Sequence, residues 1–152
     1  MSKVAVWSAL MAAAALIGAC GGGEAADGGP ILEPPKDDVV LRVVAGDGLA
    51  ADWTLAAIEE SFSFARVDID GDTQNGPRLL DVLAASGVED WETAQVIGMG
   101  EGRAFEVGLD IAAADVDEDW ILDVTNRGTL KLAAQALNRN HWVRDVGEIR
   151  IP

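Results

Sequence analysis

Asn75-Gly76-Pro77-Arg78-Leu79-Leu80-Asp81-Val82-Leu83-Ala84-Ala85-Ser86-Gly87 is the stretch that decides the fold. A proline at a helix start sacrifices only an N–H that would have no partner there, and a glycine just past the end accepts the left-handed backbone that closes the last turn. Between these two markers the spacing predicts a helix over residues 78–86, with Leu79, Leu80 and Leu83 on one face.

The segments on either side read as strands and turns. Upstream, Val39-Val40-Leu41-Arg42-Val43-Val44 is a β-branched run ending at Gly46-Asp47-Gly48, a first strand and its turn. Residues 52–60 carry Asp52 as a capping residue, apolar positions at helical spacing and an acidic outer face, which predicts a short helix. Residues 62–69 alternate apolar and polar side chains, the period of a half-buried strand, and Asp70-Gly71-Asp72 is its turn. Downstream, residues 94–99 and 103–107 flank Gly100-Glu101-Gly102 as a hairpin, and residues 120–124 and 129–132 flank Asn126-Arg127-Gly128 as a second. A last strand lies within residues 142–151, interrupted near Gly147. The sum is an α+β domain, short helices set into a mostly antiparallel or mixed sheet.

Composition excludes some partners. The chain of 152 residues carries 26 acidic and 11 basic side chains, a formal charge of -15. Polyanions are bound by clustered Lys and Arg, so nucleic acid is a poor partner. The single cysteine, Cys20, lies near the N-terminus, which leaves the rest of the chain without a disulfide, a thiolate metal ligand or a thiol nucleophile.

Cys20 also sets the expected address. Lys3 is followed by an apolar run from residue 4 to residue 17 broken by Ser8, then Gly18-Ala19-Cys20. That is a secretory leader, and it is shorter than the roughly 20 apolar residues a membrane-spanning helix needs. Ile17-Gly18-Ala19-Cys20 resembles the lipobox of bacterial lipoproteins, in which the cysteine is acylated, with palmitate-type chains, and becomes the new N-terminus. The alternative is an ordinary secretory signal ending at Gly18-Ala19. The resemblance implies a signal peptide over residues 1–19 and a lipid-attachment site at Cys20. Gly21 after the cysteine implies the outer membrane, facing the periplasm, if the host is diderm. Residues 20–38, rich in Gly, Ala, Pro and acidic residues, read as a flexible tether. Residues 39–152 suit one domain with one core.

From about residue 51 the order of pieces resembles the molybdopterin-binding domain of sulfite-oxidase-like oxidoreductases, especially small bacterial relatives. The resemblance rests on Asp52-Trp53-Thr54-Leu55, on residues 75–83 with Ala85-Ser86-Gly87-Val88, on Arg103-Ala104-Phe105-Glu106-Val107, on Arg127-Gly128-Thr129-Leu130-Lys131-Leu132, and on the closing residues 142–151. In catalytic members a cysteine on the strand before the Gly-Pro helix ligates molybdenum. Here that stretch, Phe64-Ala65-Arg66-Val67-Asp68-Ile69-Asp70, has no sulfur, and a carboxylate does not substitute for a soft thiolate. The resemblance therefore implies a non-catalytic, cofactor-free relative, a binding or accessory module of the cell envelope whose partner is an envelope protein or small ligand. Two alternatives stay open: a molybdopterin-dependent oxidoreductase or its accessory subunit, and a β-grasp glycan-binding component, since residues 78–88 are also similar to the principal helix of that fold.

Asp68, Asp70 and Asp72 alternate like the start of a calcium loop, and Asp115, Asp117, Glu118 and Asp119 form a second acidic group. Neither places a glycine sixth or a glutamate twelfth, so solvated turns compete with weak hard-cation binding. An acidic or apolar pocket floor is expected near residues 68–70. His141 is the sole histidine and reads as a strand-edge residue, while Ser61, Ser63 and Ser86 lack a nucleophile-elbow context. The glycines at 98, 100 and 102 lack the Lys-Ser/Thr ending of a phosphate loop. Trp53, Trp91, Trp120 and Trp142 read as core seals or as a stacking surface. Arg127, Arg139 and Arg144 are the candidate anion-binding group, against separate ion pairs.

Overall fold

The computed structural model describes residues 36–99 and 107–152. The leader, Cys20, most of the tether and Arg103 to Glu106 lie outside the described residues.

β1 (Val39–Ala45) and β2 (Gly48–Thr54) form an antiparallel hairpin across Gly46-Asp47, with Gly46 at a φ of +55°. β1 is buried on both faces from Leu41 to Val44, as suits a central β-branched strand. The exception in that run, Arg42, is 6 % exposed and meets Asp52, its cross-strand partner, through Nε and Nη2 at 2.8 and 3.0 Å. The Asp52 hydrogen bond, with the charges of Asp52 and Glu148, holds the guanidinium pKa above its ordinary value against the opposing cost of burial. The helix expected over residues 52–60 is therefore corrected. Asp52 serves the β1–β2 ladder, and the helix α1 (Leu55–Ser61) is capped instead by Thr54, whose Oγ1 accepts from the Ala57 N–H at 3.1 Å.

β3 (Ala65–Ile69) and β4 (Asp72–Gly76) make a separate two-stranded sheet. Asp70 and Gly71 turn the chain with φ of 51° and 83°, the backbone of a two-residue primed turn. β4 is polar in sequence and was not expected as a strand. Two contacts hold it on β7 (Ile121–Val124): the Asn75 N–H donates to Asp123 Oδ1 at 2.7 Å, and Gly76 lies against the Leu122 carbonyl.

α2 (Leu79–Ala85) follows, its buried stripe being Leu79, Val82 and Leu83, while Leu80 is 37 % exposed. The i, i+3, i+4 geometry puts Val82 on the inner face in place of Leu80. Gly87, at φ +79°, donates to Ala84 O at 2.9 Å and Val88 donates to Leu83 O at 2.9 Å, closing the helix in a Schellman motif. At the other end the Leu79 N–H donates to the Trp120 carbonyl at 2.9 Å, which docks the helix on the β7 entry.

β5 (Thr93–Gly98) pairs antiparallel with β6 (Gly108–Ala112), and residues 100–106, which hold the expected Gly100-Glu101-Gly102 turn and most of the expected 103–107 strand, lie outside the described residues. β7 and β8 (Leu130–Ala133) form the second hairpin, and its Gly128 has a φ of +75°. β9 (Val143–Ile151) is the spine of the seven-stranded sheet. One edge pairs with β5; the other pairs parallel with β1 through residues 148–151 and antiparallel with β8 through residues 143–146. Irregular registers at Asp145 and Gly147 mark bulges where the strand passes from one partner to the other. The fold is thus α+β, with a mixed sheet and two short helices among the described residues, none long and apolar enough to cross a membrane.

One core joins Leu41, Val43, Ile58, Leu79, Val82, Leu83, Val96, Leu122, Leu132 and Ile149. A smaller cluster of Ile69, Ala133 and Trp142 seats the β3–β4 hairpin. Trp53 seals the α2 end: its Nε1 donates to Ser86 Oγ at 2.9 Å, and its ring lies 5.1 Å from that of Phe62.

Candidate functional site

The β7–β8 loop and the β9 bulge enclose a cleft of about 350 Å³ lined by Thr125, Asn126, Arg127, Lys131, Arg144 and Asp145. The loop is a four-residue turn closed by a left-handed glycine: Gly128 donates to Thr125 O at 2.9 Å, and Thr125 donates to Thr129 O at 2.9 Å. That turn projects Arg127 outward, whereas Lys131 and Arg144 arrive from neighbouring strands, directly opposite one another in the β8–β9 register.

Asp145 organises the cleft. Its φ of 49° is left-handed, uncommon for any residue but glycine and tolerated by Asp because its short side chain finds local partners. Oδ1 accepts from Thr129 Oγ1 at 2.7 Å and from Arg127 Nη2 at 2.6 Å, and the Thr129 hydroxyl is also within 2.8 Å of Thr125 Oγ1. The loop is thereby pinned to the bulge. The Thr129 hydrogen bond, then the Arg127 hydrogen bond and charge, then the Arg144 charge hold the Asp145 carboxyl below its ordinary pKa, with partial burial opposing them.

The sign of that shift sets a pH dependence. A carboxylate whose folded pKa is depressed adds stability above its unfolded pKa of about 3.9, and the contribution disappears as pH falls through the lower folded value. Asp145→Asn keeps a side chain that accepts φ > 0 and removes the charge. It is expected to cost about 1–2 kcal/mol at pH 7, with the gap to the parent closing below about pH 4, as read from melting curves at several pH values. An equal gap at pH 7 and pH 3 would show that the carboxylate charge contributes nothing.

Of the three arginines, Arg127 and Arg144 share this cleft. Arg139 lies elsewhere, in a 3₁₀ turn at Arg139–His141, paired with Asp72 and placed 5.4 Å over the Trp142 ring. Lys131 joins the cleft in its stead, with Nζ 3.1 Å from Asp123 Oδ2 and 5.2 Å from the same ring. Lys131 was missed in the sequence, although its place between the buried Leu130 and Leu132 on a strand already marks it as pointing to the opposite face.

The acidic trio is dispersed. Asp68 accepts from the Thr73 hydroxyl at 2.5 Å, Asp70 forms the hairpin turn and Asp72 pairs with Arg139. Among the described residues no three His, Cys, Asp or Glu side chains converge to hold a metal ion. Asp68 and Asp70 are exposed near the tip of the β3–β4 hairpin, and no residue of β3 lines the cavities at Arg127, at Trp91 or at Gly87. Of the acidic or apolar pocket floor expected there, the carboxylates of Asp68 and Asp70 face solvent, while Ile69 between them is buried. His141, expected on a strand edge, sits exposed in the 3₁₀ turn. Trp120 and Trp142 are buried, and Trp53 and Trp91 are half-buried against the core.

No protein-family model matches the chain, and no curated protein sequence is significantly similar to it.

Proposed function

We propose that this chain is a lipid-anchored module of a bacterial cell envelope, acylated at Cys20, that works by recognition and not by turnover. Its domain is read as a cysteine-lacking relative of the sulfite-oxidase molybdopterin fold. The observation that carries the reading is the donor set of the β3–β4 hairpin: the carboxylates of Asp68 and Asp72 already serve Thr73 and Arg139, and Asp70 stands in the turn between the strands. Those residues do not fit a thiolate-ligated molybdenum, because hard carboxylates hold a different class of metal. The cleft beside Arg127, with its converging cations and hydrogen-bonding side chains, supplies a recognition surface in an otherwise acidic chain.

Anchoring through Cys20 rests on acyl burial, worth about 0.8 kcal/mol per methylene, so two or more chains retain a protein without a spanning helix. Cys20→Ser is expected to move the protein from the membrane fraction to the soluble fraction and to remove the acyl mass from its N-terminal peptide. Unchanged membrane retention would refute the anchor. Metal and pterin analysis of the purified full chain tests the other half: molybdenum well below stoichiometric supports the recognition reading, and one molybdenum per chain overturns it.

A further inference from the structure

We propose that the neighbouring ends of β1, β9, β5 and β6 form a groove that seats an extended, lysine- or arginine-bearing segment of a partner protein, held by Glu89, Asp90, Glu92 and Trp91. The inference names a partner for the recognition reading above and rests on it, at a surface that shares no lining residue with the Arg127 cleft.

The strand register sets the shape. Ala45 pairs with Ile151, Arg150 with Gln95 and Ala112 with Thr93, so four strands end side by side. Two cavities lie across these ends, one of about 620 Å³ at Trp91, Thr93 and Ala113, the other of about 430 Å³ at Ala45, Gly46 and Val88. Both are lined by Glu89, Asp90, Ile151 and Pro152, which makes them one groove. Neighbouring strands stand about 4.8 Å apart, so a groove across four strand ends is about 14 Å long, room for about four or five residues of extended chain. That outline suits a peptide better than a compact ion.

Charge and aromatic surface select its side chains. Glu89, Asp90 and Glu92 are exposed, and no Lys, Arg or His lines either cavity. Among the described residues the ion pairs fall on other carboxylates, and none of these three has a side-chain hydrogen bond or ion pair. Nor do three of them converge as a single metal ion would require, so a row of separate cationic side chains answers them better. Trp91 packs on the core while half-buried, and it also lines the larger cavity. An indole face attracts an ammonium or guanidinium, and the apolar Ile151 and Ala113 beside it receive the aliphatic stem that carries such a head.

The test is calorimetric titration of the full chain, at about 150 mM salt, with three probes: the capped peptide Lys-Ser-Lys-Ser-Lys, spermidine and magnesium ion. The peptide is expected to bind more tightly than spermidine, which has the same charge and no peptide backbone, and more tightly than magnesium. Glu89→Gln, Asp90→Asn and Glu92→Gln together are expected to weaken the peptide about tenfold, and Trp91→Leu about three- to fivefold. Trp91→Phe, which keeps an aromatic face, should restore most of that loss. The control removes the same three charges elsewhere, at the exposed Glu59, Glu60 and Asp81, and should change the affinity less than about twofold. Equal weakening by the control, equal binding of spermidine or magnesium, or indifference to Trp91→Leu would each overturn the groove. Absence of peptide binding would also overturn it, and would leave the recognition reading to the molybdenum and pterin analysis, which is independent of any peptide.

Discussion

Gly76→Ala is expected to lower the melting temperature by roughly 10–20 °C, the equivalent of about 3 kcal/mol or more in a domain of this size. The cause is steric and local. A Cβ at residue 76 would lie on the Leu122 carbonyl, with Asp123 Cα 3.1 Å away, and both are backbone atoms of a strand in the core sheet. A flexible side chain gives way to a methyl group, but two crossing strands must separate. Separation would also break the hydrogen bond from the Asn75 N–H to Asp123, and with it the partner of Lys131 at the cleft wall. Gly46→Asn is the control: Gly46 has open space around it and a φ of +55°, which asparagine accepts, so its cost should stay below about 1 kcal/mol. Differential scanning of both variants decides the matter, and a Gly76→Ala protein that melts like its parent would refute the close crossing of β4 over β7.

Trp142→Ala is the second large effect, with an expected loss of about 3–5 kcal/mol from urea denaturation. The ring is 1 % exposed and, with Ile69 and Ala133, forms the cluster on which the β3–β4 hairpin rests. Its removal leaves a cavity that the two cations over its ring, Lys131 and Arg139, cannot fill at low cost. The damage should be uneven. Amide exchange in residues 65–76 is expected to accelerate far more than in β1 or β5, since the hairpin forms its own two-stranded sheet and is held to the remainder by the Gly76 approach, the Asn75–Asp123 hydrogen bond, the Asp72–Arg139 pair and this cluster. Trp142→Phe, which keeps an aromatic body there, should recover most of the loss. Uniform acceleration across the chain would refute the division into two stability units.

What the sequence revealed tracks how local each signal is. α2 and its Gly87 cap could be read because proline, stripe and glycine lie within one turn of the structure they specify. β2 was hidden, since Ala50-Ala51-Asp52 has no β-branched side chain and Asp52 resembles a helix cap. Its true role depends on Arg42, ten residues away on the paired strand. β4 was hidden for the same kind of reason: Asp72-Thr73-Gln74-Asn75-Gly76 reads as a loop, and only the approach of β3 and β7 makes it a strand. At the cleft, Arg127 and Arg144 were visible as basic residues near the last turns. The β8–β9 register that sets Lys131 opposite Arg144 is a long-range fact, and no window of sequence contains it.

The place of β9 between β1 and β5 carries a consequence for biogenesis. Parallel pairing of Arg42 with Glu148 and of Ala45 with Ile151 joins residues about a hundred positions apart, so the sheet lacks its middle strand until the last residues of this stretch are made. Contacts of such separation form late and slowly. A ribosome-bound chain would stay loose until β9 is synthesised, and the sheet would close around its spine in one late step.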